Sequence, residues 1–268
     1  MSDPFDFSGQ HVFVAGGSSG INLGIADAFA ARGARVAIAS RSQPRIDAAI
    51  ETLRAHGGEV AGYAADVRDA AAIAAALEAS HARFGPIDVV VSGAAGNFVA
   101  SALGMSANGF RTVVDIDLNG TFNVLRGAHA FLRKPGASLI NISASQSYTP
   151  TPYQAHVCAA KAGVDMLTRV LAMEWGGEGI RVNSIVPGPI DGTEGVARLA
   201  PDAAARARML SHVPLGRMGS KADIANMALV LCSPMGSYIT GAVIPVDGGI
   251  SLTGARDFAP SVAPRAVG

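Results

Sequence analysis

The chain has 268 residues, with 21 Lys+Arg against 21 Asp+Glu, 49% hydrophobic residues and only 16% charged ones. Zero net charge lacks the basic excess that phosphate-backbone binding requires, so nucleic acid is not an expected partner. The apolar content excludes a disordered chain, and the length fits one large domain or two small ones.

Short β-branched runs alternate with longer Ala-rich stretches. His11–Ala15 reads as a buried strand, Gly16–Gly20 as a turn, and Ile21–Ala31 as a helix ending at Gly33. Arg35–Ala39 is a second strand; Pro44 suits the first turn of a helix behind Ser42, which stops at Gly57-Gly58. Val60–Ala65 (strand), Ala70–Phe84 (helix) and Ile87–Ser92 (strand) follow, then one long helix over Asn108–Arg133. Ser138–Ser143 is a fifth strand, Ala155–Trp175 a helix, Ile180–Val186 a strand, Ala222–Cys232 a helix and Ala242–Val246 a last strand. Continuous apolar strands separated by helices predict a mostly parallel sheet covered on both faces. The right-handed crossover rule then gives a doubly wound α/β fold of the Rossmann type. No linker or repeat interrupts it, so residues 1–268 form one domain, with a non-sheet excursion at about 188–215.

No apolar run reaches the ~18 residues that crossing a membrane needs. Met1-Ser2-Asp3-Pro4 has neither the basic nor the apolar part of a signal peptide. Arg265-Ala266-Val267-Gly268 is not a peroxisomal address. Cys158 and Cys232 do not make a disulfide framework. The expectation is a cytoplasmic protein without a membrane partner. No His/Cys/carboxylate spacing suggests a metal.

The first strand-to-helix turn contains Gly16, Ser18, Ser19, Gly20 and Ile21. Glycines there let backbone approach a pyrophosphate, and the helix N-terminus favours anions. NAD sites usually carry an acidic residue after the second strand; here Ser40 and Arg41 stand there, with Arg45 one turn on. A guanidinium at this place binds a 2′-phosphate, so the expected cofactor is NADP(H). The competing reading of Arg41 is a solvated loop arginine. Asp66 and Val67, closing the third strand, are expected against the adenine.

These motifs and their order resemble the short-chain dehydrogenase/reductase family over about residues 8–250. Asp66-Val67, Ser92–Gly96 (with Ala94), Lys161, Pro187-Gly188-Pro189-Ile190, Thr240-Gly241 and Val246–Gly249 carry the resemblance. It implies that Lys161 contacts the nicotinamide ribose, and that Pro187, Gly188, Ile190 and Thr193 border the nicotinamide. The family's last turn glycine is Asn22 here. Asn tolerates left-handed backbone better than other non-glycine residues, so the turn is expected to survive.

The family's chemistry uses Tyr-x-x-x-Lys on one helix, a Ser on the neighbouring strand and an Asn on the long helix. Here Val157 stands four residues before Lys161, Ala144 stands at the Ser position and Asp117 at the Asn position. Val and Ala transfer no protons. His156 precedes Lys161 by five residues, about 140° round a helix, so it faces away. It reads as a helix-surface or interface histidine, with an active-site group as the competing reading. Tyr148 and Tyr153 sit in the preceding loop and are candidates to line the pocket.

Within the family, Ala94–Phe98, Asp115–Val124, the Tyr-less run before Lys161 and Pro187–Leu199 resemble 2,4-dienoyl-CoA reductases, especially the peroxisomal type. That resemblance implies NADPH-dependent reduction of a dienoyl thioester to a 3-enoyl thioester in fatty-acid degradation. Asp117 would orient a water that protonates Cα, and Lys161 would hold the ribose and supply positive potential. A plain buried ion pair is the competing reading of the two. Asp115, two residues away, cannot share the face of Asp117. Asn97, Phe98 and Tyr148 are expected against the acyl-CoA substrate. Arg198, with Arg206 and Arg208, is a candidate for the CoA phosphates; solvated helix charges are the alternative. A homotetramer is expected by analogy. Two other functions stay open: a carbonyl reductase that recruits Tyr148 or Tyr153, and an inactive dinucleotide-binding sensor.

Overall fold

The structure, a computed structural model, describes residues 3–253. The terminal stretches read above, Met1-Ser2 and Arg265–Gly268, lie outside the described residues.

Seven strands are β1 (His11–Ala15), β2 (Arg35–Ser40), β3 (Val60–Ala64), β4 (Val89–Ser92), β5 (Ser138–Ile142), β6 (Arg181–Pro187) and β7 (Val243–Val246). All pairs are parallel, in the order β3-β2-β1-β4-β5-β6-β7. The period-two alternation of a strand explains the continuous apolar runs: Val12 and Val14 face one core layer, Phe13 and Ala15 the other. Helices α1 (Gly20–Ala30) and α2 (Gln43–Arg54) cover the first layer through Ile25, Phe29, Ile46 and Leu53. The second layer takes Ile73 and Leu77 of α3 (Ala70–Phe84). The direction of strand addition reverses at β1 and β4, so the crevice beyond their carboxyl ends is the switch point where α/β sheets bind ligands.

The long helix expected over Asn108–Arg133 is interrupted and shorter. It consists of α4 (Ala107–Val114), a π turn (Asp115–Asn119) and α5 (Gly120–Ala128), followed by a 3₁₀ turn (His129–Phe131). Its end has a clear cause: Leu132 leaves the helix in extended conformation and bridges Ile87, whose N–H donates to Phe131 and whose carbonyl accepts from Arg133. In the π turn the Gly120 N–H reaches back five residues to the Asp115 carbonyl. Two close approaches hold the turn. A side chain at Gly120 would meet Val67 at 2.6 Å, and one at Gly163 would meet Leu118 at 2.7 Å.

Gly163 belongs to α6 (Ala155–Trp175), which with α5 completes the second layer. The excursion after β6 carries α7 (Glu194–Leu199) and α8 (Ala203–Ser211), and α9 (Lys221–Cys232) returns to the first layer. Helix α9 starts with a capping box between Ser220 and Asp223. Among the described residues no helix is long and apolar enough to cross a membrane.

The chain leaves β6 at Gly188, where a Cβ would lie 2.6 Å from the Asp247 backbone. Backbone on both sides cannot yield cheaply. Gly188→Ala is therefore expected to lower stability by about 1–3 kcal/mol, read as a lower urea midpoint. An unchanged midpoint would contradict this close approach.

Candidate active site

A cleft of 430 Å³ opens at the switch point. Gly16, Ser18, Ser19, Gly20 and Ile21 line one wall, Ser40, Arg41, Asp66 and Val67 another, and Ala94 and Thr193 complete it. Gly16 has φ +78°, and a Cβ there would stand 2.9 Å from the Ala94 nitrogen. Ser19 precedes α1 without capping it through its side chain, which leaves the first helical N–H groups directed at the cleft. Such a cradle fits a dinucleotide pyrophosphate.

Asn22 does not have the left-handed backbone anticipated for it. It is an ordinary residue of α1, and Tyr153 is the one described non-glycine residue with positive φ. Its side chain instead donates to the Gly93 carbonyl at 2.7 Å. Gly93 makes room, since a Cβ there would lie 2.1 Å from the Asn22 amide oxygen.

At the ribose end, Ser18 donates to the Ser40 hydroxyl at 2.7 Å. Arg41 is exposed and makes no ion pair among the described residues. Arg45 is committed elsewhere: Glu194 at the start of α7 reaches over and pairs with it at 3.0 Å, so it is not a second free cation. The Asp66 carboxylate pairs with Arg68 at 2.6 Å, and hydrogen bonding to that guanidinium holds its pKa below the usual range.

At the other end, Thr193 caps α7 and donates to the Ile190 carbonyl at 2.7 Å. Gly188 and Ile190 line a neighbouring hollow with Pro214 and Leu215, and Pro187 closes β6.

The π turn and α6 bring Asp117 and Lys161 together, both almost wholly buried, with Lys161 Nζ 3.2 Å from Asp117 Oδ2. Lys161 donates to the Ile142 carbonyl at 2.9 Å. The Gly96 N–H donates to Asp117 Oδ1 at 2.7 Å, while Oδ2 accepts no aligned hydrogen bond from protein. Asp115 instead accepts from Asn119 at the exposed side. Val157 is packed in the interior, and Ala144 follows the buried Ser143. The hydroxyls of Ser143 and Ser147, on either side of Ala144, are buried and unpartnered. No motif signalled them.

Tyr148 lines a separate hollow with Pro150, Pro152 and Cys158, and Tyr153 projects into solvent. Neither hydroxyl bonds Asp117 or Lys161. His156 is not on the helix surface. It is fully buried, because the segment after β4 folds over it and Phe98 stacks on its ring at 4.2 Å. Asn97, Phe98 and Arg198 line one hollow of 370 Å³, and Arg198 donates to the Asn97 carbonyl at 2.9 Å. Arg206 is drawn away to Asp191 at 2.6 Å.

A family model described as enoyl-(acyl carrier protein) reductase matches residues 15–251. A peroxisomal 2,4-dienoyl-CoA reductase ((3E)-enoyl-CoA-producing) of Pongo abelii is 45% identical over 255 residues, 92% of this chain and 87% of its own. One of the same name from Arabidopsis thaliana is 43% identical over 269 residues, 96% of this chain and 90% of its own. The crystal structure of a putative short-chain alcohol dehydrogenase from Sinorhizobium meliloti superposes with a TM-score of 0.88 at 33% identity, covering 92% of this chain and 98% of the other.

A buried pair loses more when one member goes than when both do. Lys161→Met is expected to lower stability by about 3–5 kcal/mol, because the Asp117 carboxylate stays buried without its counter-charge. Adding Asp117→Asn restores most of that loss in urea unfolding. Equal losses in the single and double variants would contradict the pairing.

Proposed function

The chain belongs to the short-chain dehydrogenase/reductase family, and from that premise we propose that it reduces 2,4-dienoyl-CoA thioesters to 3-enoyl-CoA with NADPH. One observation carries the reading. Where the family's tyrosine and serine stand, this chain has Val157 and Ala144; the titratable groups that remain are the family's lysine, Lys161, and Asp117 at the asparagine position, both buried. A ketone reductase needs a proton donor beside the carbonyl oxygen. A dienoyl thioester does not: hydride addition at Cδ moves charge through the conjugated system to the thioester oxygen, and the resulting dienolate takes its proton at Cα. The relatives that bear the dienoyl-CoA reductase name span nearly the whole chain.

The residues fit these tasks. The Gly16–Ile21 turn, Ser40, Arg41, Asp66, Val67, Ala94 and Thr193 would hold the dinucleotide, with Pro187, Gly188 and Ile190 at the nicotinamide end. When bound, the nicotinamide supplies the hydride. Lys161 has three N–H donors. Ile142 engages one and the ammonium faces Asp117 at 3.2 Å without an aligned hydrogen bond, which leaves a donor for the nicotinamide ribose. Gly96 pins one oxygen of Asp117, so the other can orient a water toward Cα. Arg198 stands exposed at the hollow of Asn97 and Phe98, where CoA phosphates would pass; Tyr148 is assigned to the rim of the same acyl-CoA path.

Arg41 supports NADPH over NADH, since its guanidinium lines the cleft beside Ser40 and makes no ion pair among the described residues. A tetramer is part of the proposal, supported by exposed Phe122, Met166, Val170 and Met173 on α5 and α6. A reducing compartment such as the cytoplasm is too, supported by the free thiols of Cys158 and Cys232.

NADPH consumption is expected with 2,4-hexadienoyl-CoA and not with acetoacetyl-CoA. The reverse preference would establish a carbonyl reductase, and consumption of neither would indicate a binding protein. Asp117→Asn should lower turnover by about 10²–10⁴-fold while NADPH still binds; full turnover would remove Asp117 from the relay. Arg41→Asp should weaken NADPH by about ten- to a hundredfold, the worth of a charge-assisted contact, measured by cofactor fluorescence. Equal affinity of the unmodified protein for NADPH and NADH would sink the cofactor assignment.

A further inference from the structure

His156 is a buried titratable group to which the chemistry above gives no work. The ring is fully buried, and among the described residues neither nitrogen makes an aligned hydrogen bond, although the Phe98 backbone lies near it. His11, equally buried, shows the contrast: one nitrogen meets the Gly85 carbonyl at 2.8 Å and the other the Ser80 hydroxyl at 2.7 Å. Native interiors seldom leave such groups unsatisfied unless water or function explains them.

The surroundings of His156 are specific. Phe98, itself 38% exposed, lies against the ring at 4.2 Å with the two planes tilted by 52°. The segment that ends at Phe98 begins at Gly96, whose N–H is held by Asp117 at 2.7 Å. Gln154, two residues before His156, holds the Phe98 carbonyl at 2.7 Å. The segment therefore runs directly from the carboxylate to the imidazole. Asp117 is the charge that acts on the ring from the π turn; Lys161, on the same helix as His156, is paired with Asp117, and Arg198 of α7 holds Asn97 from outside. Burial pushes the His156 pKa down more strongly than Asp117 and the nearby Phe98 backbone pull it up, so the ring is neutral at neutral pH. A neutral imidazole has one donor and one acceptor nitrogen, and can take a proton at one while releasing one at the other. Asp117 Oδ2 is likewise without an aligned partner.

We propose that His156 resupplies the proton that the Asp117-bound water gives to the substrate, through a buried water between the imidazole and Asp117 Oδ2. This rests on the dienoyl-CoA reading of the site. The step balances in protons. The water on Asp117 loses one to Cα, and the hydroxide left behind takes the imidazole N–H proton. The other ring nitrogen takes one from solvent beside Phe98, and tautomer exchange resets the ring. No electrons move in this step. His156 does not touch the substrate; it is a positioning residue that acts through Asp117 and water.

The test compares the unmodified protein with His156→Gln, which keeps a donor and an acceptor but does not titrate. NADPH affinity should be unchanged. Turnover of 2,4-hexadienoyl-CoA should fall by about a hundredfold, the lower end of what a lost proton-transfer group costs. The solvent deuterium effect on kcat should rise, because proton supply becomes limiting; a merely structural role would not move it. Unaltered turnover with an unaltered isotope effect overturns the inference. Should that variant fail to fold, His156→Asn takes its place under the same two readouts, and unaltered turnover with an unaltered isotope effect again overturns the inference. If the unmodified protein does not reduce the dienoyl thioester at all, the functional reading itself falls, which is a different result from a silent His156→Gln.

Discussion

The contact between Lys161 and Asp117, 3.2 Å across the junction of α6 and the π turn, is the constraint around which the rest of the site is arranged. Burying two charges costs more in lost hydration than their attraction returns unless neighbours complete their bonding. The Ile142 carbonyl and the Gly96 N–H do this from β5 and from the segment after β4. Two strands' ends and two helices must therefore meet at one point. The small residues at Gly120 and Gly163 are what allow that meeting, since a Cβ at either would strike Val67 or Leu118.

The segment from Gly93 to Phe98 links the two halves of the site. Asn22 of α1 grips its start, Asp117 of the π turn its middle, and Arg198 and Gln154 its end. A dinucleotide in the cleft and a thioester beyond it would press on the same strip of backbone. Such pressure would couple cofactor seating to the placement of the carboxylate without any long-range device. The Arg45–Glu194 contact adds a second tie across the cleft, but both partners are well exposed. An exposed pair of this kind contributes little to stability.

Much of this was legible in the sequence, and the exceptions have definite causes. Strands such as Val89–Ser92 are apolar at every position because both faces of a parallel sheet are covered, so their pattern is hard to mistake. The π turn was not legible: one residue added to a helix leaves no mark on composition, and DIDLN reads as ordinary helix. The end of α5 was missed because Leu132 stops for a tertiary reason, its bridge to Ile87. Asn22 was considered for its backbone freedom, whereas its side-chain amide is what the structure uses. The spacing of His156 from Lys161 led to a surface reading, which failed because helical position carries no information on the loop that covers that face. Asp117 and Lys161 were found because the family spacing locates them, and the absence of a competing tyrosine at Val157 gave them weight.

The central claim is that a carboxylate at the asparagine position, paired with the retained lysine, takes over from the missing tyrosine because the product is formed by protonation at carbon. The most direct measurement is the position of solvent deuterium in the product. 2,4-Hexadienoyl-CoA reduced with NADPH in D₂O should yield a 3-enoyl thioester with deuterium at Cα and unlabelled hydrogen delivered to Cδ, read by NMR. Reduction at the thioester carbonyl, or a 2-enoyl product with deuterium at Cγ, would contradict the account.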